Sequence, residues 1–182
     1  MNKSKVYVDT FKFDKNVITV MIYDTIDTKY VKKNIEDICQ KDYKKIDKNV
    51  TNDDLYSGYV AIKIEKFLKD NNINKYIINE NGDITVGKRY NNKPYKISIN
   101  DVNNKVLKIV NLENENISTI RDNNNSISII GKDTIKNKEF KHKLNDLSIE
   151  EGKEMIKNMD IAVLWYKDGK ITMSDTFEKY VK

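Results

Sequence analysis

The sequence predicts an α+β fold: one domain over residues 1–182 in which a mixed or antiparallel sheet packs against helices. Three features lead there. Apolar residues recur at helical spacing in two early segments. Between residues 76 and 130 they fall instead into short β-branched runs separated by asparagine-rich turns. The C-terminal part then returns to a helix and a hairpin signal. Glycine is scarce, there is a single proline, Pro94, and no internal repeat or linker marks a domain boundary.

In chain order, Val17 to Tyr23 is short, apolar and β-branched, and reads as a strand. Asp27 or Thr28 offers an N-cap for a helix over residues 29–46, with Val31, Ile35, Ile38 and Ile46 on its apolar side. Thr51 to Asp54 caps a second helix ending near Asp70, whose expected inner face carries Leu55, Tyr59, Ile62, Phe67 and Leu68. Tyr76–Asn79 and Asp83–Lys88 are strands joined by an Asn81-Gly82 turn. Tyr95–Ile99, Val106–Leu112, Ile117–Ile120 and Ser126–Ile130 add four more. Ser148 and Glu151 fit a capping box for a helix whose packed side carries Ile149, Gly152, Ile156 and Met159. Strands Ile161–Tyr166 and Lys170–Met173 flank Asp168-Gly169, a hairpin turn signal.

Composition narrows the function classes. The 33 basic and 28 acidic residues are interleaved along the chain, unlike the basic stripe of a nucleic-acid binder. The densest basic run, Lys136 to Lys143, reads as a solvated loop. Cys39 is the only cysteine and lies on a helix's apolar side, as a buried structural thiol would. His142 is the only histidine and shows no partner for nucleophilic catalysis. No apolar run reaches membrane-spanning length and no signal peptide opens the sequence, so a cytoplasmic location is expected. No phosphate loop, dinucleotide fingerprint or metal-ligand spacing is present.

One tract carries a family resemblance. Ser57-Gly58-Tyr59 at a helix start is followed by Asn79-Glu80-Asn81-Gly82-Asp83-Ile84, then Gly87-Lys88 and Pro94-Tyr95-Lys96-Ile97. This resembles the ApbE-like flavin transferases, which move FMN from FAD onto a protein. Their "K-G-Y-A" helix start precedes "N-x-G-G-(D/N)-I", a "G-K" and an aromatic-led strand. Agreement extends to Phe11–Tyr23, to Thr119 and Asp122 in the place of "A-T-S-G-D", and to Ser128–Thr134 in the place of "H-I-(I/L)-D-P-x-T-G". It also covers Glu150-Glu151-Gly152, Asp168-Gly169-Lys170 and Thr176-Phe177-Glu178 near the end. The resemblance implies an ApbE-like, T-fold-related core, here shortened.

The departures bear on activity. Ser57 stands where the family has lysine, and Ser128, Gly131 and Lys132 stand where it has His, Asp and Pro. The "A-D-A-x-x-T-A" helix start, whose Asp and Thr bind magnesium in relatives, has no counterpart. Splitting a pyrophosphate calls for a positioned divalent ion to neutralise developing charge. The expectation is therefore a degenerate, non-catalytic relative that retains weak binding of a flavin nucleotide (FAD or FMN) or of a protein partner, with no magnesium site. The alternatives are an active magnesium-dependent FAD:protein FMN transferase or FAD-splitting enzyme, and a basic nucleic-acid-binding module.

The resemblance places what remains of a site at Gly58, Tyr59, Asn79, Gly82, Asp83, Thr119 and Asp122. Two readings stay open for Gly58: backbone approach to a phosphate at a helix N-terminus, or close packing. Gly82 either shapes a flavin-side loop or simply makes a turn, and solvated loop caps are the better reading of Asp83 and Asp122. Lys132 adds a charge that a phosphate could meet, and Trp165 reads as core.

Overall fold

The computed structural model describes residues 6–42, 53–91 and 93–181. Eight strands form one sheet that is antiparallel throughout: β1 (Tyr7–Phe13), β2 (Asn16–Ile22), β3 (Tyr76–Glu80), β4 (Asp83–Val86), β7 (Glu115–Asp122), β8 (Asn125–Gly131), β9 (Ala162–Lys167) and β10 (Lys170–Met173), side by side in that order. Strands β5 (Tyr95–Asn100) and β6 (Val106–Leu112) pair only with each other, as a separate two-stranded sheet.

Local apolar patterning predicts the first strand only from Val17. The structure places β1 ahead of it, hairpinned onto β2 around Asp14. Its inward residues Phe11 and Phe13 are buried, but they alternate with Thr10 and Lys12, which dilutes the apolar signal.

Helix α1 (Thr28–Asp37) is capped by Asp27, whose Oδ1 accepts from the backbone N–H of Lys29 and Tyr30 at 3.0 and 3.1 Å. It continues as a π-helical turn through Ile38–Asp42; residues 43–46 of the expected helix lie outside the described residues. Cys39 is buried, as expected, and burial pushes its thiol up to about 12.

Helix α2 (Asp53–Asp70) has the expected extent but a different inner face. Ser57, Gly58, Val60, Ala61, Ile64 and Leu68 are buried, whereas Tyr59 is exposed. Apolar residues occur on all sides of this helix, so periodicity alone does not choose among them.

Side-chain alternation divides the sheet into two faces. Ile18, Val20, Ile22, Tyr76 and Ile78 pack with α1 and α2. Ile127, Ile129, Val163 and Trp165 meet α3 (Thr134–Asn145) and α4 (Ile149–Ile156). On the opposite face, Val86, Ile117, Ile130, Ala162 and Leu164 meet the β5–β6 hairpin and the 3-10 turn Asp175–Tyr180. Trp165 is fully buried, in keeping with its reading as core; burying so large an aromatic contributes about 1.5–3 kcal/mol.

Helix α3 overturns the reading of Lys136–Lys143 as a solvated loop. Lys138 is 0% exposed and Lys141 4%. The residues this helix buries are Thr134, Asn137, Lys138, Lys141 and Leu144, a helical 3–4 spacing carried mostly by polar side chains.

Candidate functional site

Where α3 crosses α2 and the β3–β4 turn, a cluster of charges gathers: Lys138, Lys141, Glu80 and Asp83 are buried, and Asp54 lies at its partly exposed edge. The Lys138 ammonium lies 2.8 Å from Asp54 Oδ1, 2.9 Å from Glu80 Oε1 and 2.5 Å from Asp83 Oδ2. An ammonium has three donors, and here each meets a carboxyl group. One helical turn on, Lys141 Nζ lies 2.9 Å from Asp54 Oδ2 and 2.8 Å from Asp83 Oδ2. His142 Nε2 is 2.9 Å from the same Asp54 oxygen, so the histidine that looked partnerless has a partner from α2. The Ser57 hydroxyl donates to the Asp54 carbonyl at 3.0 Å and lies in close hydrogen-bond contact with Glu80 Oε1, from which it accepts when Glu80 is protonated.

Each element contributes for a local reason. Asp54 and Ser57 stand one turn apart at the start of α2. Tyr76, Ile78 and Glu80 alternate on the helix-facing side of β3, so Glu80 is simply the last inward residue of that strand. Beyond it Asn81 and Gly82 turn the chain at positive φ, 50° and 97°, with the Asn79 Oδ1 accepting from Gly82 N–H at 3.0 Å. This brings Asp83 back beside Glu80, and Asp83 is 5% exposed, not the solvated cap expected.

The electrostatics follow from two buried ammoniums facing three carboxyl groups, of which Glu80 and Asp83 are buried and Asp54 is partly exposed. Burial, reinforced by nearby Asp83, pushes Glu80 up to about 7 despite Lys138. With Glu80 protonated, the two lysines and two aspartates balance. Burial also works against the charge on Asp54, but Lys138 and Lys141 hold its carboxyl well below the usual carboxylate range. Burial alone would lower Lys138; Glu80, Asp83 and Asp54 outweigh it and raise it, so the amine stays charged. A permanently protonated amine is neither a base nor a nucleophile.

The structure brings some of the residues picked from sequence together and separates others. Gly58 and Asp83 both border the cluster. A Cβ on Gly58 would lie 2.8 Å from Lys138 Cδ and Cε, so close packing is the reading the structure supports. Thr119 donates its backbone N–H to Asp83 Oδ1 at 2.8 Å, but its hydroxyl meets Ser128 Oγ at 2.8 Å. Strand alternation puts that hydroxyl, and the Asn79 side chain, on the sheet face away from α3. Gly82 and Tyr59 lie at the surface. Asp122 is exposed at the far end of β7, where it accepts from Asn123 Nδ2. Lys132 is exposed as well.

Lys138, Lys141, Glu80, Asp54, Ser57 and His142 were not picked from sequence. The spacing of positions 134, 137, 138, 141 and 144 is the signal that would have found the lysines, once polar residues are allowed to define an inner face.

An antiparallel sheet carrying helices on one face and a small hairpin on the other is also the architecture of known flavin transferases. The flavinyl transferase ApbE of Pseudomonas stutzeri, in its apo form, superposes with a TM-score of 0.78 at 12% identity, covering 100% of this chain and 99% of that one. The flavin transferase ApbE of Vibrio cholerae gives 0.77 at 11% identity, over 97% and 99%. The ApbE protein of Thermotoga maritima gives 0.78 at 10% identity, over 98% and 100%. The model of the ApbE family matches residues 19–156, and the chain belongs to that family. Comparison with curated protein sequences finds no match. No helix among the described residues is long and apolar enough to cross a membrane.

Proposed function

We propose that this chain keeps the fold of a flavin transferase without the transferase reaction, and serves as a weak binder of a flavin nucleotide or of a protein partner. The observation that carries the reading is the Lys138 side chain. It fills the space beside Gly58 at the start of α2, and its ammonium already takes up the acids Asp54, Glu80 and Asp83. A phosphate brought to that helix start would have to displace a buried, fully paired lysine. The divalent ion that the family implies does not fit the acids as they stand, because the lysine lies among them. Substitution of Ser128, Gly131 and Lys132 for the family's His, Asp and Pro supports the same reading.

A nucleotide is left only exposed residues: the Asn81-Gly82 turn, Tyr59 and, as the positive charge a phosphate could meet, Lys132. Contacts there are solvent-screened, worth about 1 kcal/mol for an exposed ion pair, so binding is weak and falls with salt. The test is titration of FAD, FMN, ADP and AMP by flavin fluorescence or calorimetry, alongside incubation with FAD, magnesium and an acceptor peptide. The expected result is weak, salt-sensitive nucleotide binding, an unlabelled peptide and no AMP. Magnesium-dependent release of AMP would establish the active FMN transferase instead. No nucleotide binding even at millimolar concentration would leave the protein partner as the function.

A further inference from the structure

The acids of the buried cluster are arranged as ion ligands. One oxygen from each of Asp54, Glu80 and Asp83 lies within 4.8 Å of the others, the one such grouping among the described residues. We infer that Lys138 is the resident cation of this cage: its ammonium takes the place a divalent ion would occupy, the wild-type chain excludes such ions there, and shortening Lys138 converts the cage into a divalent-cation site.

Two independent observations carry this. The ammonium sits among all three acids, 2.5–2.9 Å from each, which is how a bound cation would sit. Its stem, meanwhile, runs through a channel that exists because residue 58 is glycine. Any Cβ there would meet Lys138 Cδ and Cε at 2.8 Å and Ile135 Cδ1 at 3.2 Å. The backbone of α2 is thus cut to the lysine's shape, as a structural ion's shell is cut to the ion. The Ser57 hydroxyl beside Glu80 offers one more oxygen. Removing the stem leaves room for water to complete a coordination shell.

The cage dimensions set an order of preference among ions. The three acid oxygens stand 2.5–2.9 Å from the ammonium nitrogen, closer to the roughly 2.3–2.6 Å of calcium–oxygen bonds than to the roughly 2.0–2.1 Å of magnesium–oxygen bonds. Charge agrees: without Lys138, Asp54 and Asp83 face Lys141 alone, and an incoming divalent ion would supply the missing positive charge and displace the Glu80 proton.

The test titrates calcium, manganese and magnesium against wild type, Asp83→Asn, Lys138→Ala and Lys138→Ala/Asp83→Asn, following thermal unfolding and manganese binding by electron paramagnetic resonance. Wild type should show neither a melting shift nor a saturable ion. Lys138→Ala should gain one site with a Kd of roughly 10⁻⁴–10⁻³ M, as for loosely built oxygen sites. It should melt higher with calcium than in chelator, and the double variant should lose both effects. If Lys138→Ala does not fold in chelator, recovery of its circular dichroism on refolding in calcium or manganese is read instead. The inference is overturned if wild type binds an ion that Asp83→Asn abolishes. It is equally overturned if Lys138→Ala neither binds nor is rescued by any of the three ions, or if its ion survives in the double variant. No flavin enters this experiment, so its outcome is separable from that of the proposed function.

Discussion

Helices α3 and α4 follow one another and pack on the same face of the sheet, yet they bury opposite kinds of side chain. Helix α4 is amphipathic in the ordinary sense: it buries Gly152 and Ile156 against Leu144 and Trp165. Its start is fixed by Ser148 and Glu151, each accepting from the other's backbone N–H at 3.3 and 2.9 Å. Helix α3 buries two lysines, an asparagine and a threonine for one leucine. The comparison teaches that an inner face is defined by spacing, and that charge is admitted to it when distant segments supply partners. Asp54, Glu80 and Asp83 lie 84, 58 and 55 residues from Lys138.

The largest effect that would sharpen this contrast is expected from Lys138→Met. The substitution keeps a stem in the channel but takes the lysine from Glu80 and leaves Asp54 and Asp83 to share Lys141. Removing one partner of a buried ion pair typically destabilises by about 3–5 kcal/mol. Equilibrium denaturation should show a loss at least equal to that of Ile156→Ala in α4, for which about 2–5 kcal/mol is usual. A Lys138→Met protein as stable as wild type would break the comparison, since the lysine would then be an incidental guest.

A second, smaller effect is the pH dependence of wild-type stability. Glu80 is raised from an ordinary 4.5 to about 7, so the folded state binds its proton more tightly than the unfolded state does. That contribution is complete below about 4.5 and disappears as pH climbs through about 7, a decline on the order of 3 kcal/mol. Asp54 acts in the opposite sense: its depressed value contributes stability above the ordinary 3.8, lost as pH falls lower. In Glu80→Gln the decline between pH 5 and 7 should vanish, as read by chemical denaturation across that range. A decline that persists in the variant would locate its origin elsewhere.

The smallest effect is the most specific. Gly58→Ala gains about 1 kcal/mol of helix propensity, but its methyl group meets the pinned Lys138 stem. Overpacking of about 1–3 kcal/mol should win, for a modest net destabilisation. In the Lys138→Ala background the two closest contacts are gone, leaving only the end of the Ile135 side chain to give way, and the same substitution should stabilise. A double-mutant cycle without this reversal would show that the channel is not shaped around the lysine.

Much of the fold was legible in the sequence: the capping box of α4, the Asp168-Gly169 hairpin, buried Cys39 and Trp165, and the extent of α2 all follow from local chemistry. Strand β1 was obscured because Thr10 and Lys12 interrupt its phenylalanines, and the inner face of α2 because apolar residues surround the helix. The site was legible only in outline. Gly58, Gly82 and Asp83 stand out through turn chemistry and family likeness. The cluster depends on tertiary pairing between α2, the β3–β4 turn and α3, and no local pattern in Lys136–Lys143 announces acids so far away. Thr119 and Asn79 were grouped with it by sequence position, whereas strand alternation turns their side chains to the other face.

Every non-glycine residue at positive φ among the described residues is Asn or Asp: Asp14, Asn72, Asn81, Asn91, Asn104, Asn114, Asn123 and Asp168. Four of these mark the reversals of β1–β2, β3–β4, β7–β8 and β9–β10. Such residues visit the left-handed region readily through local hydrogen bonds, yet roam less than glycine when the chain is unfolded. The unfolded chain is therefore already creased at the places where neighbouring strands must fold back. Those four hairpins can find their register locally and early. The joins from β2 to β3, β4 to β7 and β8 to β9 must close much longer loops, and there the search for the native topology is slow.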